Sequence, residues 1–426
     1  MVSKLRCVIG GLTLALAISL AQPAVAQELP RPAPTPHPFG QLRVGSLSFT
    51  PTAKLTNIGF DTNVFDFSGT ERRSPDFTAT LEPGVETRLT TPRLDARVAS
   101  TVSLVYYRKY ASERAVNPRI DAIVDQRMSS RLSLYGKGAF GFAKERAGFE
   151  IESRPRSLSH ATTVGARIGD RKLELDVHGS YGGVAYDPNA LFLNVKLAET
   201  LNRTHGGGGA GLKFRLSPYT SLTALVDATA TRFELSPLRD TNSYLGSMGV
   251  EFHPRAMISG TAGIGYRALN PTSALNPNFA GFTPRAGLTY TLRDVLTVGV
   301  GAQRDVEHSF YAERPYFLYT LYEGSIRQAV FHHLDVGGSL QYTTLDYRQF
   351  VTQAGMLPPL PTEIVRMATL NVGIPIARKY RVGGYVQRWE RVSVDRPYTT
   401  LRAGLEMSVG KASLSPRGVF LSGPGR

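Results

Sequence analysis

The chain has 426 residues, 42% of them hydrophobic, a formal charge of +15 and a single cysteine. Beyond the first 26 positions there is no run of 18 or more apolar residues, which excludes a helical membrane span, and no thiol for a disulfide framework. Basic residues are scattered rather than gathered into a stripe, which argues against nucleic acid as a partner.

Residues 1–26 read as a secretory signal peptide: Lys4 and Arg6 make a positive start, Val8 to Leu20 an apolar stretch, and Ala24-Val25-Ala26 a small-residue site with cleavage after Ala26. Cys7 precedes the apolar stretch, so lipoprotein anchoring is not expected. Removing Lys4 and Arg6 takes the formal charge from +15 to +13. Residues 27–46 begin with prolines at 30, 32, 34, 36 and 38 and read as an extended periplasmic leader.

Residues 47–411 read as a barrel, and between residues 76 and 392 one device repeats eight times: an alternating apolar and polar run, a clipped turn, a second run, then a longer polar loop. The short turns centre on Thr91-Pro92, Ser129-Ser130, Gly169-Asp170, Ser217-Pro218, His253-Pro254, Arg293-Asp294, His332-His333 and Ala377-Arg378, 36 to 48 residues apart. Each arm, of about 10 to 15 residues, is long enough for the roughly 9 to 11 tilted residues that cross a bilayer. The expected fold is all-β: a transmembrane, antiparallel up-and-down barrel of 18 strands, with 16 as the alternative count. An even number puts both termini at the short-turn, periplasmic rim and the longer loops outside. None of these loops is long enough to be a separate plug domain, but residues 184–204, the longest stretch, can fold inward as a constriction. Residues 412–426 form a C-terminal tail. Pro83 and Pro375 fall inside strands, where bulges are expected, and the first strand changes phase near Asn57-Ile58.

Alternation separates two faces. In the second strand Phe77, Ala79, Leu81, Val85 and Leu89 share one face, and Thr78, Thr80, Glu82, Glu86 and Arg88 the other. The second face is too charged for a dry core, because each unpaired buried ion costs several kcal/mol. Lipid outside and water inside satisfy both faces. Taking the polar phase as inward gives basic pore-lining candidates Arg93, Arg97, Lys137, Arg167, Lys213, Arg215, Arg267 and Arg402. The facing acids are Glu82, Glu86, Asp95, Glu174, Asp176, Asp227 and Glu406. Two outcomes are open: opposed charges impose a transverse field on a hydrated pore, or they neutralise one another and close it.

No Gly-x-Ser-x-Gly elbow, His-Glu-x-x-His, Walker loop or paired-cysteine zinc pattern occurs, so no catalytic, cofactor or metal residue is assigned and the chain is not expected to be an enzyme. His178, Asp176 and Ser180 can be drawn as an acid–base set, but a polar wall network explains them more simply. The start of the barrel carries a Gly-aromatic-Asp-x-Asn-Val core: Gly59, Phe60, Asp61, Asn63 and Val64. It resembles the first strand of the outer-membrane β-barrel porin families of Gram-negative bacteria, of the kind called putative β-barrel porin type 2. The resemblance, which runs through the hairpin pattern, implies an outer-membrane location and contact with membrane lipid, lipopolysaccharide and the barrel-assembly machinery. That machinery commonly reads a terminal aromatic, from which this chain departs: the nearest is Phe420 in the tail. The expected function is passive diffusion of small polar solutes with a mild anion preference. The alternative is an exit channel for a surface polysaccharide, for which Tyr106, Tyr107 and Tyr110 are candidate stacking platforms, although an outer-leaflet aromatic girdle accounts for them too. Oligomeric state is not legible.

Overall fold

The computed structural model describes residues 42–66, 74–254, 256–293, 295–311, 313–330, 334–349, 361–377 and 380–409. The signal peptide, the proline-rich part of the leader, the C-terminal tail and the His332-His333 turn lie outside the described residues.

Eighteen long strands of 12 to 15 residues follow one another along the chain. They are β1 Leu47–Asp61, β2 Asp76–Thr90, β3 Leu94–Tyr107, β4 Ala115–Arg127, β5 Leu132–Lys144, β6 Arg156–Gly169, β7 Leu173–Tyr186, β8 Arg203–Ser217 and β9 Thr220–Phe233. The second half comprises β10 Thr241–Phe252, β11 Ile258–Pro271, β12 Phe279–Leu292, β13 Leu296–His308, β14 Tyr316–Val330, β15 Leu334–Arg348, β16 Glu363–Ala377, β17 Tyr380–Val392 and β18 Tyr398–Val409. Each strand pairs antiparallel with its neighbours in the chain, and β1 pairs with β18 from Ala53↔Val409 to Asp61↔Arg402. The sheet therefore closes, and the count is 18 rather than 16. A short strand, Leu42–Val44, folds back through Gly45 (φ +61°) onto the first residues of β1, which β18 does not reach. The left-handed backbone at Gly45 is one that glycine adopts without penalty.

The expected change of phase in β1 is a bulge: register shifts between Leu55 and Ile58 toward β18 and between Thr56 and Gly59 toward β2, with Asn57 at φ +53°. Its amide is held from both sides, Oδ1 accepting from Tyr385 Oη at 2.8 Å and Nδ2 donating to Thr80 Oγ1 at 3.4 Å. Pro375 also sits at a bulge, between Pro375 and Ala377. Pro83 differs from expectation. The β2–β3 ladder loses rungs between Leu81↔Leu104 and Gly84↔Thr101 but keeps its register, because neither strand carries an extra residue. Ser103 Oγ donates to Glu82 Oε2 at 2.7 Å beside the gap.

Apolar side chains stand out from the wall, among them Val226 (60% exposed), Met248 (68%), Leu340 (68%) and Leu370 (70%). This surface is lined with the residue types that suit lipid. Among the described residues no helix is long and apolar enough to cross a membrane.

Candidate functional site: a paired wall and a loop plug

The opposite strand face carries the charges, and it pairs them by register. Arg97 meets Glu86 at 2.7 Å, and Arg88 grips Asp95 through two bonds of 3.0 and 2.6 Å. Glu82 has Lys54 at 3.8 Å. Arg167 lies 2.7 Å from Asp125 and 3.7 Å from Asp176, over the ring of Tyr135, whose hydroxyl donates to Asp176 at 3.0 Å. His178 bridges Asp176 at 2.9 Å and Asp227 at 3.1 Å. Lys213 pairs with Glu251 at 2.9 Å, Arg267 with Asp305 at 2.8 Å and Arg402 with Asp61 at 2.8 Å. Arg381 joins Asp335 and Glu406.

Of the fifteen residues singled out by sequence, fourteen lie on this face within strands. Among them Lys137 has its ammonium 5.2 Å from the Tyr135 ring centre, and Glu174 stands opposite Lys213 in the β7–β8 register. Arg93 does not join them: it is exposed in the turn before β3, because the strand begins one residue later. Arg215 belongs to the short-turn rim, donating to the carbonyl of Arg171 at 2.7 Å. Several pairs are half-exposed, so each contributes roughly 0 to 1 kcal/mol and their main effect is neutralisation.

The long-loop end of the barrel is not a ring of free loops. Loop 145–155 leaves β5, enters the barrel and reaches the far wall. There Phe149 packs with Phe317, Leu345 and Tyr347 from β14 and β15. Ile151 joins Leu197 and Leu201 of the short helix α1 (Leu197–Leu201) and Phe310 of loop 309–315 in a second buried cluster. Full burial of such side chains stabilises by about 1.5–3 kcal/mol each. The expected inward fold of residues 184–204 is therefore only part of the closure, since α1 supplies one wall of a cluster that loop 145–155 completes.

Polar groups fasten the same loop. Arg391, fully buried, contacts the carboxylates of Glu152 and Glu363 and donates to the carbonyl of Phe149 at 3.0 Å. Arg396 lies 3.0 Å from Glu152, 3.3 Å from Glu363 and 2.9 Å from the carbonyl of Glu150, making a square of two guanidinium and two carboxylate groups. Glu150 accepts from Ser309 Oγ at 2.6 Å and from the N–H of Phe310 at 2.9 Å. Burial pushes its pKa up to about 7 despite these bonds and the nearby Arg396 and Arg391. Arg146 pairs with Asp66, and Arg239 donates to the carbonyls of Thr200, Ser309 and Pro315, tying three loops together. Burial lowers the pKa of Arg239 to about 10.

The plug was not foreseen from sequence. Its available signal was the pair of apolar residues, Phe149 and Ile151, alternating with two glutamates in an otherwise polar loop. The tyrosine candidates separate: Tyr106 is on the outward face, Tyr107 is buried under the Arg154 guanidinium, and Tyr110 packs edge-on against Phe65.

The closed 18-strand barrel, with its charges gathered on one strand face, defines a porin-like outer-membrane protein. Residues 34–358 match the family model described as "Putative beta-barrel porin 2", and the chain belongs to that family of Gram-negative outer-membrane barrels. Among solved structures it is similar to the outer membrane protein opdK of Pseudomonas aeruginosa, at 11% identity over 85% of this chain and 98% of that one, with a TM-score of 0.47. It is also similar to OpdO of the same organism, at 10% identity over 85% and 97%, with a TM-score of 0.46. The siderophore receptor PirA, again from Pseudomonas aeruginosa, aligns at 8% identity over 85% and 80%, with a TM-score of 0.42. No curated protein matches the chain.

Proposed function

We propose that the chain passes small polar solutes across the outer membrane by passive diffusion, with a mild preference for anions and with its own loops limiting entry from outside. The observation that carries this reading is a closed 18-strand wall with one continuous charged strand face, a size at which barrels hold an aqueous lumen unless loops occupy it. Pairing within the wall leaves little net field there. The anion preference rests instead on the formal excess of +13 and on basic groups at the mouth. Polysaccharide export gains no supporting observation, since Tyr107 lies under the Arg154 guanidinium and Tyr110 is packed against Phe65.

The test is the reversal potential of the purified protein in a planar bilayer under a salt gradient. An anion-sided potential is expected, shifted toward cations by Lys213→Glu, which would face Glu251 across the wall. Arg215→Glu, at the rim, should shift it less. A preparation that does not conduct overturns the channel, and an unmoved potential in Lys213→Glu overturns the inward assignment of the charged face.

A further inference from the structure

A cavity of about 420 Å3 opens at the outer mouth between loops 108–114, 145–155 and 187–202, with Glu113, Lys144, Ser153, Arg154, Arg156 and Asp187 in its polar lining. Its charges are not balanced in the way those of the wall are. Lys144 Nζ lies 2.9 Å from Glu113 Oε1, and Arg154 Nη1 lies 3.6 Å from Glu113 Oε2, so two cations share one carboxylate. The remaining contacts of both cations are neutral: Lys144 donates to the carbonyl of Ser112, and Arg154 donates to that of Val64 at 3.1 Å. Lys144, Arg154 and Glu113 are only 15%, 11% and 13% exposed, so water does little to screen the excess.

Of the other acids in the lining, Glu152 is held by Arg391 and Arg396, whereas Asp187, whose Oδ1 accepts the N–H of Asn189 at 2.9 Å, keeps its charge and offsets one cation. Arg156, exposed, adds a third cation. Ser153 Oγ is buried without a hydrogen-bond partner, a donor left over beside the cations. Burial and the neighbouring Arg146 guanidinium lower the pKa of Arg154, as expected where positive charge is under-compensated.

We infer that this cavity binds a small free oxyanion, a phosphate or carboxylate, on the outer side of the plug. Lys144 and Arg154 would neutralise it, and Ser153 would donate a hydrogen bond. A charge-assisted contact of this kind is shorter and stronger than a neutral one, and an oxyanion accepts several at once. The inference rests on the channel reading, to which it adds a site where anions are concentrated before entry.

The test is calorimetric titration of the purified full-length protein in lipid-free detergent with inorganic phosphate. Saturable binding at one site is expected. Lys144→Gln combined with Arg154→Gln should weaken it at least about tenfold, and Glu113→Gln, which removes the carboxylate that both cations share, should strengthen it by about tenfold. A site built only for structure predicts the reverse for Glu113→Gln, because losing the shared carboxylate would loosen both cations. No saturable binding by the wild type, or weakened binding in Glu113→Gln, overturns the inference. If the double variant fails to fold, the wild type and Glu113→Gln still decide. Displacement of phosphate by micelles carrying a phosphorylated glycolipid overturns the free-solute assignment. Current measured on the same preparation separates the two readings: conduction without phosphate binding removes the site alone, and binding without conduction removes the channel alone.

Discussion

Glu152→Gln tests whether the plug is a latch. In the wild type two guanidinium and two carboxylate groups meet in a buried square, with Arg391 fully buried and the side chains of Arg396, Glu152 and Glu363 each less than a tenth exposed. Glutamine keeps the shape and removes one charge, leaving two cations on Glu363. Removing one partner of a buried ion pair costs about 3–5 kcal/mol. Here the cost falls on the inward position of loop 145–155, because only that position buries the square. Taking the lower figure, since the mouth borders water, about 3 kcal/mol corresponds to roughly a hundredfold shift toward the displaced loop. The assay is single-channel recording together with hydrogen exchange of residues 145–155. The variant should spend far more time in a high-conductance state and lose protection in that loop alone. Adding Arg396→Gln should recover part of the loss by restoring neutrality. Unchanged conductance and unchanged exchange in Glu152→Gln would refute the latch.

The same loop should respond to pH through Glu150. Its pKa is raised from 4.5 to about 7 when buried, so between these values the inward loop holds a proton that the displaced loop has released. The inward position is therefore most stable below about pH 4.5 and weakens as pH rises to about 7. The change is about 1.4 kcal/mol per pH unit at most. Open probability should rise over that window and level off above it, and Glu150→Gln should flatten the profile; a wild-type profile flat from pH 5 to 7 would contradict the assignment. At the β1 bulge, Asn57→Val puts a β-branched residue at φ +53° and removes the bonds to Tyr385 and Thr80. A loss of about 1–2 kcal/mol is expected from the backbone alone, read as a lower denaturant midpoint in micelles, and an unchanged midpoint would count against strain at the bulge.

The barrel was legible because its cause is local. Period-two alternation, clipped turns at Thr91-Pro92 or Ser217-Pro218 and arms long enough to cross a bilayer are properties of short windows, and they narrow the count to 16 or 18 strands and separate two faces. The phase change at Asn57-Ile58 was visible for the same reason: a bulge adds a residue, and alternation counts residues. Pro83 shows the limit of that logic, since proline removes a donor without requiring an extra residue, and the ladder simply drops rungs. The candidate wall charges were legible as a face but not as pairs. Whether Arg97 meets Glu86 depends on cross-strand register, which turn geometry sets and spacing alone does not.

The plug was hidden for a stronger reason. Glu152 and Arg391 are 239 positions apart, on loops and strands from opposite sides of a closed wall. Their meeting follows from closure itself, which turns the ends of distant hairpins toward one axis. A loop carrying Phe149 and Ile151 can bury those side chains only by entering that space. Once inside, Glu150 and Glu152 need donors, and Arg391, Arg396 and the Ser309–Phe310 backbone supply them. The inward fold of loop 145–155 is thus the consequence of two apolar residues that lipid cannot reach and two carboxylates that the far wall can satisfy.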